Sequence, residues 1–258
     1  MSKLLAGDKF FDVSDYGRYP AVLLVNQLKK TRITPIHVTL LFGFVGLLAV
    51  YFILQHHFIT AGILIIFKSI LDAADGELAR AKKTPSLTGR YLDSIFDFAL
   101  NLLLLLAISH VAQGNLWVML VAFGCIQLQG TVYNYYYVIL RNNSVGADST
   151  SRIFEYKFPK ALPGERQHGV NILFTVYTIL FGLFDRLVYA LDRTASHTQF
   201  PRWFMTFLSI YGLGFQLLLI AILLNTGLVT FIIPFLILYT IFVPVLIGIR
   251  KLIITQKN

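Results

Sequence analysis

The chain has 258 residues, 56% of them hydrophobic, and a mean hydropathy of +0.69. That composition excludes a soluble globular protein and leaves room for one polytopic membrane domain without a large soluble one. The formal net charge of +9 lies in segments between apolar runs and forms no compact basic domain, so it points to cytoplasmic loops facing anionic lipid headgroups and away from nucleic acid.

Residues 1–20 are polar and aromatic, and Asp8, Asp12 and Asp15 interrupt any apolar core that a signal peptide would need. The first span would itself direct insertion. Residues 21–32, AVLLVNQLKKTR, read as an amphipathic helix lying at the membrane interface, although a plain cytoplasmic tail ending in stop-transfer charges fits the same residues. This divides the chain into a tail with an interfacial helix, 1–32, and a membrane domain, 33–258. The first span opens near Ile36, with Pro35 in its first turn and His37 and Thr39 near its cytoplasmic end. His37 reads as an interfacial residue.

The second span starts at about Phe58. Its Lys68 stands one turn before Asp72, placed either for an i, i+4 ion pair or for snorkelling. Residues 81–90, AKKTPSLTGR, form a hairpin connection whose irregular part is marked by Pro85 and Gly89. The third span runs from about Tyr91 to Ala112 and the fourth from Leu116 to Leu140. Tyr133, Tyr135, Tyr136 and Tyr137 near the end of the fourth read as an interface belt, with a headgroup pocket as the alternative. The single cysteine, Cys125, lies in an apolar run, reads as a small buried hydrophobe and allows no intramolecular disulfide.

Residues 141–169 form the longest polar segment. Its Arg141, Arg152, Lys157, Lys160 and Arg166 place it in the cytoplasm. Residues 170–191 offer only about fourteen apolar positions before Asp185 and Arg186, which is short for a span. Two apolar segments follow, 203–224 and 227–249, joined by the turn Asn225-Thr226-Gly227. If 170–191 lies in the interface there are six spans, and Arg186, Arg193, Arg202, Arg250, Lys251 and Lys257 stay inside; if it crosses there are seven, and Arg250, Lys251 and Lys257 fall outside. The positive-inside rule favours six. The fold class is therefore an all-α polytopic membrane bundle of six helices with an N-terminal interfacial helix.

One stretch needs a strong local reason. Asp72, Asp75, Asp93 and Asp97 stand in or beside spans, where a carboxylate costs several kcal/mol unless it is paired, hydrated or bound to metal. At ~100° per residue Asp72, Asp75, Gly76 and Ala79 share one helical face with Arg80 at its edge, and Glu77 points well away. A substitution at Glu77 is accordingly expected to be mild. Asp93 and Asp97 are one turn apart on the next helix, with Gly89 one turn earlier. A hairpin would converge both pairs. Four oxygen donors with no nearby His or Cys suit Mg²⁺ or Mn²⁺, and can hold two ions in the ~3.5–4 Å arrangement of phosphoryl chemistry.

The stretch reads D-x2-D-G-x2-A-R-x8-G-x3-D-x3-D, with eight fixed positions. It resembles the signature of the CDP-alcohol phosphotransferases, membrane enzymes that include phosphatidylglycerol-phosphate, phosphatidylserine and phosphatidylinositol synthases. The resemblance implies six spans and a reaction of phospholipid biosynthesis: a CDP-alcohol, such as CDP-diacylglycerol, gives its phosphoryl-alcohol group to an acceptor hydroxyl and releases CMP. By motif position Asp72, Asp75 and Asp93 would be metal ligands, and Asp97 would share a second metal and act as base. Asp72, Gly76, Ala79, Arg80 and Gly89 would bind the CDP group. Arg141, Arg152 and Arg166 are candidates for a phosphorylated acceptor. The implied partners are the CDP-alcohol donor, a hydroxyl acceptor and membrane lipids, with a second copy of the chain as an optional partner and no nucleic acid. The active site would face the cytoplasm, at a bacterial inner membrane or its equivalent. The rival readings are a CDP-linked small alcohol with a lipid acceptor, a cation transporter that uses the aspartates, and an inactive scaffold.

Overall fold

The computed structural model describes residue 4, residues 6–143 and residues 157–253, and every described regular element is helical. Helix α1, Arg18–Leu28, overlaps the helix expected over 21–32 but starts three residues earlier and ends before Lys29; it buries Ala21 and Val25 and exposes Tyr19, Val22 and Leu23. Helix α2, Pro35–Leu54, begins at the expected proline. Its start is fixed by a reciprocal cap: the Thr34 hydroxyl accepts from the His37 N–H, and His37 Nδ1 accepts from the Thr34 N–H at 3.2 Å. His37 is thus a capping residue.

Helix α3, Phe58–Lys82, ends at Lys83 in the left-handed conformation, and α4, Leu87–Val111, begins four residues later. The Ser86 hydroxyl accepts from the Gly89 N–H at 2.8 Å, so Gly89 belongs to the first turn of α4 rather than to an irregular connection. Helix α5 is Leu116–Asn143 and α6 is Gln167–Leu191. Helices α7, Arg202–Leu208, and α8, Leu213–Asn225, form a pair bent by 50° about Tyr211–Leu213. Helices α9, Val229–Tyr239, and α10, Phe242–Ile253, continue one another across a break at Thr240. That break leaves the Leu236 carbonyl without its helical N–H, and Gln129 Nε2 of α5 donates to it at 3.0 Å. Gln216 Nε2 of α8 donates to Gln129 Oε1 at 2.9 Å, so a small polar network joins three helices in the apolar interior.

Among the described residues five helices are long and apolar enough to cross a membrane, and the bent α7–α8 pair makes a sixth if it is one span. Helix α3 has the length of a span but carries the charged motif. Helix α6 is among the five, and its 25 residues continue through Asp185 and Arg186, which do not end it. Both of its ends are nevertheless tied to the half of the bundle that holds the α3–α4 turn. At its start Glu165 accepts from the Ser86 hydroxyl and the Thr88 N–H, at 2.8 and 2.7 Å. At its end Asp192 pairs with Arg250, near the end of α10, and accepts from the hydroxyl of Tyr136, seven residues before the end of α5. With both ends anchored in this way α6 fits the interfacial position of the six-span reading, in which α2, α3, α4, α5, α7–α8 and α9–α10 would cross; by length and composition α6 is a candidate span as well.

Four apolar clusters hold the described part of the bundle, and two of them are the largest. One, far from the hairpin turn, packs Ile53, Ile65, Leu105, Ile126, Leu224 and Ile232. The other packs Tyr136, Ile139, Phe204, Leu208, Tyr211 and Val243 around the second half of α5. The site lies between α3 and α4, at the hairpin half.

Candidate active site

The hairpin places the two acidic pairs against each other. One carboxylate oxygen from each of Asp72, Asp75 and Asp93 lies within 4.8 Å of the others. Asp97, one turn deeper on α4, pairs closely with Lys68 Nζ. Lys68 Nζ is also 3.8 Å from Asp72 and sits 4.8 Å from the centre of the Phe42 ring. Lys68 is 2% exposed, so it forms the i, i+4 pair and does not snorkel. The Thr39 hydroxyl donates to Asp75 Oδ2 at 2.7 Å and orients that buried carboxylate. Asp93 Oδ1 is buried and has no hydrogen-bond partner.

This is an electrically incomplete centre. Lys68 offsets one of the four carboxylates, and a buried carboxylate oxygen without a partner costs ~1–3 kcal/mol or more. Hard oxygen donors around an orphaned oxygen fit a divalent cation. The residues present therefore suit the group that the spacing calls for.

The small motif residues make room beside it. Arg80 lies along Gly76, where a Cβ would stand 3.5 Å from the guanidinium. A Cβ at Gly89 would stand 3.3 Å from the Ser86 hydroxyl that caps α4. Ala79 is half-buried. Glu77 does point off the aspartate face, but it is only 4% exposed, and its Oε1 lies 3.0 Å from both Arg80 Nη2 and Arg18 Nε. The expectation of an inconsequential Glu77 is corrected by this: the helical wheel places it away from the aspartates and says nothing of what α1 brings to it.

The candidate acceptor residues differ in setting. Arg141 is buried at the end of α5, Arg166 is exposed before α6, and Arg152 lies outside the described residues. The tyrosines of α5 form no interface belt. Tyr136 is fully buried and donates to Asp192 Oδ2 at 2.7 Å, Tyr135 donates to the Asp192 carbonyl at 2.8 Å, and Tyr133 donates to Asp12. Sequence reading also missed the Asp192–Arg250 pair and the docking of Glu165, because each joins residues 58 or more positions apart with no local pattern.

A model of the CDP-alcohol phosphatidyltransferase family matches residues 32–249. The chain belongs to this family. Two curated relatives are both described as bifunctional IPC transferase and DIPP synthase. The protein from Archaeoglobus fulgidus is 30% identical over 152 residues, 58% of this chain and 28% of the relative. The one from Thermococcus kodakarensis is 33% identical over 162 residues, 60% of this chain and 35% of the relative. The matched part thus spans about a third of these relatives' length. Family membership and the aspartate geometry together support CDP-alcohol phosphotransfer as the reaction class.

Proposed function

We propose that the chain transfers a phosphatidyl group from CDP-diacylglycerol to an acceptor hydroxyl at the cytoplasmic face, as a step of phospholipid synthesis that depends on Mg²⁺ or Mn²⁺. The observation that carries this reading is the cluster of Asp72, Asp75 and Asp93, in which Asp93 has a buried oxygen without a partner. Asp72, Asp75 and Asp93 would hold the divalent ion, with Asp97 sharing a second one. When bound, such ions neutralise the pyrophosphate and stabilise departing CMP.

The remaining work falls to the chain's own groups. The acceptor oxygen forms a bond to the phosphorus that bears the alcohol, and the bond from that phosphorus to the CMP oxygen breaks. CMP leaves with the electron pair. Asp97 takes the acceptor's hydroxyl proton. Lys68 fixes Asp97, Thr39 fixes Asp75, and Arg80 reaches the donor phosphates from beside Gly76.

The test is a turnover assay with purified protein, CDP-diacylglycerol, Mg²⁺ or Mn²⁺ and a panel of hydroxyl acceptors, with the lipid product identified by mass. A second arm supplies a CDP-linked small alcohol with a lipid acceptor. EDTA should stop turnover and added metal should restore it. Metal flux into liposomes with no CMP released from any donor would replace this reading with a transporter.

A further inference from the structure

The segment before α1 is stitched to α5, to α7 and to the turn that leads into α8. The Val13 N–H donates to the Ser209 hydroxyl at 3.0 Å, Tyr133 donates to Asp12, and Arg202 Nη2 donates to the Gly7 carbonyl at 2.8 Å. Ser14 lies so close to the start of α8 that a Cβ on Gly212 or Gly214 would collide with it. At its other end the segment presses on α3: a Cβ on Gly17 would stand 3.1 Å from the Ser69 carbonyl. Residues 12–18 thus form a strap from α8 to the motif helix, and the strap ends in Arg18.

Arg18 then meets Glu77. The Glu77 oxygen 3.0 Å from Arg18 is also 3.0 Å from Arg80, and the whole side chain is 4% exposed. A carboxylate held between two guanidinium groups is fixed in position, and it fixes them in turn. Arg80 is not saturated by this: its buried Nε has no hydrogen-bond partner. One edge of the Arg80 fork is anchored, and a donor N–H remains for another anion.

We propose that Glu77 is a positioning residue for the CDP donor, holding Arg80 in its binding orientation, and that the strap residue Arg18 holds Glu77, so the donor site is complete only while the strap is docked. The proposal rests on the reading of Arg80 as a donor contact given above.

The experiment measures CDP affinity by calorimetry in Mn²⁺ alongside donor and acceptor KM, for the full chain in detergent. Glu77→Gln should weaken CDP binding and raise donor KM by about tenfold, the worth of one charge-assisted hydrogen bond, with acceptor KM unchanged. Arg18→Gln should shift donor affinity about threefold and add nothing in the Glu77→Gln background, as coupled residues do. Gly214→Ala touches neither charge and pushes on Ser14; it too should lower donor affinity about threefold. Glu77→Asp keeps the charge and takes the place of Glu77→Gln if the latter does not fold; its shorter reach should weaken CDP binding in the same direction. Unchanged CDP affinity in folded Glu77 variants and in Gly214→Ala would overturn the proposal, as would an equal loss for donor and acceptor, the mark of a general structural role. A parent chain that binds no CDP would remove the functional reading, and this one with it. Binding by the parent with no change in the variants removes this one alone.

Discussion

The buried charges around Asp192 and those around Asp93 are built on opposite principles. Around Asp192 every charge is answered. Arg250 pairs with the carboxylate, Tyr136 donates to it, Tyr135 donates to the Asp192 carbonyl, and the Arg250 fork also reaches the Thr194 hydroxyl at 2.7 Å. Around Asp93 the charges are left open: one lysine, Lys68, pairs with Asp97 and lies 3.8 Å from Asp72, Asp75 has only the Thr39 hydroxyl, and one Asp93 oxygen has no partner. A satisfied buried pair joins parts of a fold, here the end of α6 to the end of α10. An unsatisfied one leaves charge for a bound ligand to answer. The position of a charge in the membrane does not separate the two roles, and the completeness of its partners does.

The largest effect is expected where the comparison is sharpest. Asp75→Asn or Asp93→Asn should reduce CMP release by ~1,000-fold or more, the scale of losing a main electrostatic stabiliser. Neither should lower the melting temperature without metal, because each removes a like charge from a crowded group. Mn²⁺ should raise the melting temperature of the parent by mass action and leave that of Asp93→Asn unmoved. A thermal melt in detergent with and without Mn²⁺ reads this independently of turnover. An Asp93→Asn protein that melts far below the parent would place this centre with the structural kind.

The Asp192 centre should respond in the opposite way. Asp192→Asn or Arg250→Gln leaves a buried charge unanswered and should cost about 3–5 kcal/mol, read as lost monodisperse protein and a lower melting temperature. Protein that survives should turn over at the parent kcat. Replacing both partners together, Asp192→Leu with Arg250→Met, should recover most of the loss, because no lone charge remains. Tyr136→Phe removes one of several donors to Asp192 and should cost only ~1–2 kcal/mol. If Tyr136→Phe were as costly as Asp192→Asn, the hydroxyl and not the ion pair would be the keystone.

The two centres were not equally legible. The aspartates repeat at helical spacing within one hairpin, so the sequence places all four on facing surfaces and gives the helix starts at Pro35 and Phe58 as well. Nothing local announces that Asp192 will meet Arg250, or that Asp12 will meet Tyr133 across 121 positions. The tyrosines of α5 mislead for the same reason: an aromatic run beside a basic loop has the composition of an interface belt, and only the arrival of Asp192 and the N-terminal segment buries it. Glu77 was legible by direction and not by partner. Residues 170–191 read as short for a span because Asp185 and Arg186 interrupt the apolar run, but the helix continues through both to a length that can cross, and the two anchors at its ends are again long-range.

The smallest effect belongs to a contact intermediate between the two centres. Glu165 ties the segment before α6 to the start of α4. Burial alone would raise its pKa, but the bonds donated by the Thr88 N–H and the Ser86 hydroxyl outweigh burial and hold it below the ordinary glutamate range. A depressed folded pKa means that the unfolded chain takes up the proton first as acid is added. The stabilisation is therefore fully present above the ordinary value of 4.5 and is lost as pH falls through the lowered one. Glu165 is only partly buried, so screening by water keeps the contribution to about 1 kcal/mol or less. Glu165→Gln should thus melt slightly below the parent at neutral pH, and the two curves should converge as the pH is lowered through the carboxylate range. Melting the two proteins side by side across that range checks the sign. A gap that widens on acidification would mean that Glu165 is protonated when it holds the hairpin, and the anchor at the start of α6 would then have to be sought in the Leu87, Tyr91, Val170 and Phe174 cluster instead.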